Sequence, residues 1–361
     1  MTGSPTRAED VLIRPEVMVR QADALAGDLR ELTVGYDQRV RALPERAWHG
    51  VDRVVLTGCG DSYYAACAAE LAFETVADLD CDAVPALRFL GYGAERTRRR
   101  ATMMVAVSAS GRTELVLRSV RRARELGART VAVTGTAGCP LAEAADHAVV
   151  VAVPDREPSP GIRTHQASLV GLLLLALRLA QARGVAVDRQ RAELVGAAEA
   201  VAAAAEHARD RADLVAAVAD QPTMVVAGSG PGWGSAQFAA AKLVEGAGVP
   251  AHGQDIEEWC HVERFARPAD GPVILLAAPG RAHWRALDTA RTARSAGRPV
   301  LAIAHPDDRE LTALADLLLP VPVPVREEYA GLALPVFAPY LAAGLAQRLG
   351  RAPFLRDPEP S

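Results

Sequence analysis

Residues 52–66 read DRVVLTGCGDSYYAA, a β-branched run that enters a glycine-rich turn and then a stretch compatible with a helix. Residues 222–236, at an offset of 222 − 52 = 170, read PTMVVAGSGPGWGSA and repeat that grammar. Further along, TMMVAVSASGRTELVLRSVRRARELGARTVAVT at 102–134 is echoed by PVILLAAPGRAHWRALDTARTARSAGRPVLAIA at 272–304, with Gly111 and Gly280 169 apart and Gly127 and Gly297 170 apart. One α/β unit therefore occurs twice, as an internal repeat. In each copy short Val/Ile/Leu/Ala runs alternate with Arg/Glu-bearing helical stretches. The runs lack polar alternation, as parallel strands covered on both faces do. Strands are expected at 52–57, 102–108, 129–134 and 147–153, then at 223–228, 272–277, 299–304 and 316–321, in two doubly wound parallel sheets. A long apolar helix near 164–184 and an Ala/Glu/Arg-rich helix near 189–219 separate the two. The expected division is an N-terminal helical arm (1–45), a first domain (46–185), a linker helix (186–220), a second domain (221–350) and an irregular tail (351–361).

Half of the 361 residues are hydrophobic and 23% are charged, which suits globular domains and excludes disorder and coiled coil. The 40 basic and 44 acidic residues leave a formal charge of −4, so no net field holds a nucleic acid or an anionic membrane. The basic set is lopsided: Lys242 stands alone, and 40 − 1 = 39 residues are arginine. A lysine kept in such a chain is either a chance survivor on a solvated helix face or a position that needs a compact ammonium. The five cysteines are scattered, with no Cys-x-x-Cys spacing, so neither a disulfide framework nor a structural zinc site is expected. The opening MTGSPTRAEDVLIRPE holds no apolar stretch, and the greasiest run, Leu169 to Leu177, is closed by Arg178 and too short to span a bilayer. A cytoplasmic protein is expected.

The chemistry concentrates where strands end and helices begin. Ser108-Ala109-Ser110-Gly111-Arg112-Thr113 offers helix-entry N–H groups and three hydroxyls, a setting for phosphate. Ordinary capping by Ser110 or Thr113 is the alternative. The aligned Ala277-Ala278-Pro279-Gly280 keeps the turn but loses every hydroxyl, which favours a site furnished in one copy only. Gly58-Cys59-Gly60-Asp61-Ser62 is a second such turn. Tyr63 breaks the dinucleotide fingerprint, so NAD is disfavoured. Ser62 then serves as a further donor to the same ligand, and Asp61 as an N-cap or more. In the second half Lys242 and Glu245, at i and i+3, share a helix face as a surface ion pair or as working groups. His261 follows in Glu257-Glu258-Trp259-Cys260-His261; a Glu, a His and a Lys beside a phosphate cradle form an acid/base set. Cys260 and His261 as metal ligands is the weaker alternative, since no second pair at ligand spacing exists; no metal and no cofactor are expected.

On these residues the chain resembles the sugar isomerase (SIS) domain family, in particular the isomerase half of glucosamine-6-phosphate synthase and fructosamine-6-phosphate deglycases. The family's Ser-x-Ser-Gly-x-Thr loop is matched by Ser108, Ser110, Gly111 and Thr113, and its Gly-x-Gly-x-Ser turn by Gly58, Gly60 and Ser62. Its Lys-x-x-Glu helix is matched by Lys242 and Glu245, and its Glu-x-x-His segment by Glu258 and His261. The resemblance implies two tandem SIS (flavodoxin-like) domains and a sugar phosphate bound in open form. It implies Glu245 as the base moving a proton between C1 and C2, Lys242 beside the reacting carbons, and His261 reaching in from a second subunit of a homodimer. Thr164 would line the sugar site, with Arg163 and His165 beside it as specificity residues. Three departures are visible: no glutamine-hydrolysing domain with its N-terminal cysteine, Ala109 where the synthase has Gln, and no lysine in the ending FLRDPEPS. The expected function is thus a phosphosugar isomerase or deglycase. The alternatives are an ammonia-dependent aminating isomerase served by a separate glutaminase, and a non-catalytic sugar-phosphate sensor.

Overall fold

Among the described residues ten β strands, eight of them built on Val, Ile, Leu and Ala runs, assemble into two five-stranded parallel sheets. The computed structural model describes residues 13–99, 101–267 and 271–354. The first sheet holds β1 (Arg53–Gly58), β2 (Asp80–Pro85), β3 (Thr102–Val107), β4 (Arg129–Thr134) and β5 (His147–Val150) in the order β2-β1-β3-β4-β5. The second holds β6 (Met224–Ala227), β7 (Ala251–Gln254), β8 (Val273–Ala277), β9 (Val300–Ala304) and β10 (Leu317–Pro320) in the order β10-β9-β8-β6-β7. Each sheet therefore reverses its winding between its first and third strands, the point at which α/β sheets bind ligands. Two strands escape the sequence expectation. DCDAVP and AHGQ are edge strands, half in solvent, and carry no apolar run to betray them.

Successive strand residues point to opposite faces, and both faces are covered. Val54 and Leu56 of β1 and Met103, Val105 and Val107 of β3 join a large central core, whereas Val55, Met104 and Ala106 join a smaller outer one. The second sheet divides likewise: Ile274, Leu276, Leu301 and Ile303 face the central core, and Val273, Leu275, Val300 and Ala302 the outer one. The central core is shared by both sheets and filled by the helices Glu16–Arg41, Asp61–Thr75, Arg163–Ala182, Asp188–Ala208, Pro231–Ala247 and Phe337–Leu349. The N-terminal helix thus belongs to this layer, burying Met18, Leu25, Leu29 and Tyr36. The tail residues 355–361, with the lysine-free ending, lie outside the described residues.

Two expectations are corrected. The helix foreseen over 189–219 breaks at Arg209-Asp210-Arg211, where Asp210 takes φ 55°, and restarts as Ala212–Val218. The apolar helix is longer than its greasiest run: Arg163–Ala182, with 20 residues, is long and apolar enough to cross a membrane, as is the 23-residue stretch Glu327–Leu349. Their apolar windows are 83% and 94% buried inside the fold, so protein, not lipid, covers them.

The central helices meet through small residues. Gly234 lies so close to the Asp61–Thr75 helix that an added Cβ would sit 2.5 Å from the Ala68 nitrogen and 2.7 Å from the Tyr64 carbonyl oxygen. Both neighbours are backbone and cannot swing aside. Gly234→Ala should therefore destabilise the protein by about 1–3 kcal/mol through overpacking, despite the gain of about 1 kcal/mol in helix propensity. A lower urea midpoint at unchanged slope is the expected result. An unchanged or higher midpoint would show that the helices separate freely.

Candidate active site at the switch point

β1 and β3 pair in parallel with Thr57 opposite Ala106, so the turns that follow them are neighbours. The first needs its glycines. Gly60 adopts φ 54°, ψ −130°, and a Cβ on Gly58 would lie 2.8 Å from the Ser62 carbonyl carbon. Gly60 is the N-cap of the Asp61–Thr75 helix, and Ser62 follows it, partly exposed, in the first turn. In the second turn Ser108 is buried, and its hydroxyl accepts from the Gly111 N–H at 3.1 Å and pairs with the Thr113 hydroxyl at 3.0 Å. Thr113 holds the N-cap position of the Glu114–Glu125 helix without capping it, because its hydroxyl is turned to Ser108. The exposed Ser110 accepts from the Arg112 N–H at 3.3 Å. Gly111, at φ 66°, backs onto Cys139 with no room for a Cβ.

The equivalent loop of the second half is already filled. The Glu327 carboxylate accepts the Arg281 N–H at 2.9 Å and lies where a Cβ on Gly280 would be. That loop holds an anion belonging to the chain itself.

Lys242 is brought across the central layer from the Pro231–Ala247 helix to the first-half turn. Its side chain is 0% exposed, and its ammonium donates to Asp61 Oδ2 at 2.7 Å and Glu245 Oε2 at 2.6 Å. The ion pair with Glu245 is thus no surface pair, and Asp61 is no N-cap. Burial pushes the Asp61 carboxyl above its ordinary range, with the ammonium pulling the other way. Glu245 is also raised, by burial first and by Asp61 in addition, against the pull of Lys242. Two carboxyl groups thus share one ammonium.

A platform lies beneath. The His165 and Phe238 rings stack at 3.9 Å between centroids, and the ammonium stands 5.0 Å from the Phe238 centroid, in cation–π reach. His165 Nδ1 meets the Asp61 carbonyl at 3.0 Å. Burial, with Lys242 adding to it, lowers this imidazole to about 3, so it is neutral. Thr164 lies near Asp61: a Cβ on Gly161 would be 2.5 Å from Asp61 Oδ2 and 3.3 Å from the Thr164 hydroxyl. Arg163 turns away, its guanidinium bound to both oxygens of Asp28 at 2.6 and 2.7 Å. Phe354 donates its N–H to the Glu245 carbonyl at 2.7 Å, which brings the C-terminal segment to the same helix.

Glu258 and His261 are not brought to this cluster. Both are exposed on the Ile256–His261 helix, whose Ile256, Trp259 and Cys260 pack under the second sheet, and the His261 ring, 67% exposed, pairs with Glu257. No group of three or more His, Cys, Asp or Glu residues with metal-binding geometry occurs among the described residues. Phe238 carried no signal in the sequence, His165 was expected only as a specificity residue, and Asp61 was expected as an N-cap or more. The usable signal lay in the repeat, since Asp61 aligns at 61 + 170 = 231 with Pro231. A cavity of about 480 Å³ lined by Val19, Arg209, Leu214, Tyr340 and Gln347 lies elsewhere and includes none of the residues singled out from the sequence.

The SIS domain profile matches residues 49–178. Glutamine–fructose-6-phosphate aminotransferase [isomerizing] of Mycolicibacterium paratuberculosis is 28% identical over 309 residues, 83% of this chain and 49% of that protein. The chain thus spans about half the length of the curated relatives it matches. Among solved structures, the C-terminal domain of glucosamine-fructose-6-phosphate aminotransferase from Francisella tularensis superposes with a TM-score of 0.71 at 16% identity, covering 92% of this chain and 98% of that one. Tagatose-6-phosphate ketose/aldose isomerase from Escherichia coli gives 0.73 at 16%, covering 97% and 96%. Residues 49–178 are a SIS domain, in a chain homologous to the isomerase domain of glutamine–fructose-6-phosphate aminotransferase.

Proposed function

We propose that the chain is a phosphosugar isomerase or deglycase that moves a proton between C1 and C2 of a phosphorylated sugar or aminosugar bound in open form. The observation that carries this reading is the buried Asp61–Lys242–Glu245 cluster, joined to the first-half switch point whose loops offer hydroxyls and helix-entry amides. Phosphate binds at Ser108, Ser110, Gly111 and Thr113, with Gly60 and Ser62 contributing from the neighbouring turn and Thr164 lining the sugar. Glu245 is the base. Its carboxyl, raised by burial, is a stronger base than an ordinary carboxylate. Lys242 stabilises the enediolate or enolamine that forms between the two transfers.

Glu258 and His261, exposed on the chain that carries them, complete the site of a second copy in a homodimer. We also read residues 46–185 and 221–350 as two copies of one unit. The near-identical turn geometry of Gly60 (54°, −130°) and Gly230 (56°, −129°) supports this. Five free cysteines support a cytoplasmic setting.

Glu245→Gln should abolish solvent deuterium incorporation at C2 and lower kcat by about 10²- to 10⁴-fold, with binding of a sugar phosphate retained in calorimetry. Exchange that persists would remove Glu245 from the role of base. Asp61→Asn takes a like charge from beside Glu245, so the Glu245 carboxyl falls and the acid limb of kcat/KM should move to lower pH. A limb that stays in place means the two carboxylates act independently. Mixing Glu245→Gln with His261→Ala subunits should restore part of the activity lost in each. No recovery after demonstrated subunit exchange would rule out shared sites.

A further inference from the structure

The His165 ring reveals a second feature of the cluster. A backbone carbonyl can only accept, so the 3.0 Å contact between His165 Nδ1 and the Asp61 oxygen places a proton on Nδ1. The neutral ring then presents Nε2 as a bare acceptor. Next to it, Gln166 donates its Nε2 amide to the Leu25 carbonyl at 2.7 Å, which leaves Gln166 Oε1 as an acceptor too. Both atoms are buried and have no hydrogen-bond partner among the described residues. His165 and Gln166 are themselves only 5% and 6% exposed. Both residues line one cavity of about 20 Å³, whose other walls are apolar side chains such as Leu25, Ile162, Phe238, Leu332 and Pro335.

Two buried acceptors without a donor, on residues that line one small cavity, are costly unless a donor serves both. Water is the donor that fits. It carries two O–H groups, one for each acceptor, and a space of at least about 10–15 Å³ with such polar partners admits one molecule. We propose that a single buried water bridges His165 Nε2 and Gln166 Oε1, locks His165 in its Nδ1-protonated neutral tautomer, and makes His165 a positioning residue for the catalytic cluster. The ring acts in two directions. Its N–H holds the backbone of Asp61 from the first half, and its face supports Phe238, and through it Lys242, from the second. Asp61 and Lys242 are thereby set against each other by one imidazole. A protonated ring would place a second cation beneath the ammonium and a donor where the water must donate. Neutrality is part of the device.

The test uses the full chain labelled with ¹⁵N-histidine, with the His165 ring assigned by difference from His165→Asn. That variant retains an amide donor near the Nδ1 position. The expected long-range ¹H–¹⁵N pattern is that of the Nδ1-H tautomer, unchanged from pH 5 to pH 8. An Nε2-H pattern, or titration inside that range, would overturn the proposal. Crystallographic density for one water touching both acceptors is expected, and a dry cavity would overturn the bridge. His165→Phe keeps the stacking surface but loses the donor. It should lower kcat by about 10- to 100-fold with KM changed less than about threefold, as misplacement of reacting groups does. His165→Asn should recover part of the loss; equal kcat in His165→Phe and the parent would overturn the positioning role. This kinetic arm rests on the isomerase or deglycase reading, whereas the tautomer and water do not. A chain without activity but with the Nδ1-H pattern and the bridging water would therefore count against that reading and leave the bridge standing.

Discussion

A lysine ammonium with no exposure to solvent is the constraint around which both halves of this protein are arranged. Taking that charge out of water is unfavourable by several kcal/mol unless it is paired in good geometry, and its two partners come from different places. Glu245 is local, one turn along the same helix. Asp61 belongs to the other half of the chain, 181 residues away, and stands at the first turn after β1. The cluster forms only if the Pro231–Ala247 and Asp61–Thr75 helices lie almost backbone to backbone, which explains the glycine and alanine along that crossing. Gly234 against Ala68 is where the spacing is tightest. Packing in the central layer and charge placement in the site are thus one requirement.

The same requirement accounts for the unlike treatment of two otherwise similar sheets. Both reverse their winding at the same relative place and both end a strand there in a glycine-rich turn. In the first half the loop after β3 keeps its hydroxyls, and Ser108 and Thr113 satisfy each other while Ser110 stays at the surface. In the second half the loop after β8 is closed by Glu327. Helix-entry amides attract an anion in either case; the second half fills the position with a carboxylate of its own, and the function proposed above gives the first to a ligand. Under that proposal a single binding locus follows from the difference, even though two crevices were available to the fold.

Much of this was legible in the sequence because apolar runs and turn residues report local structure directly. The eight strands with Val, Ile, Leu or Ala runs fall within two or three residues of their expected ends, since burial on both faces demands such runs. The edge strands β2 and β7 were invisible because their residues are half in solvent and read as loop. The break at Asp210 was invisible for a different reason: helix propensity is a sum over a window, and Arg209-Asp210-Arg211 lowers it too little to mark an end. Among site residues, Lys242 and Glu245 were found by spacing and Ser108, Ser110 and Thr113 by the contrast between halves. Asp61 was seen but given a local alternative, because no local pattern records a partner 181 residues away. His165 and Phe238 carry no motif at all; their stacking exists only once the central layer has formed.

Why one lysine survives among 39 arginines now has a geometric answer. Arg163 illustrates what a guanidinium does well in this fold: its planar fork takes both oxygens of a single carboxylate, Asp28, at 2.6 and 2.7 Å. The Lys242 position asks for something else. Two carboxylates approach from different helices, each with one oxygen, and a ring face closes a third side 5.0 Å away. Three donors radiating from one compact point match two carboxylate oxygens and a π face. Five donors fixed in a plane would leave several without acceptors in a space that water does not reach. A guanidinium also stays charged at every working pH, and it spreads its charge over a plane where the cluster concentrates it at one atom between two carboxylates. Lysine was therefore retained where the shape of the cation matters, and arginine serves everywhere that its charge alone is sufficient.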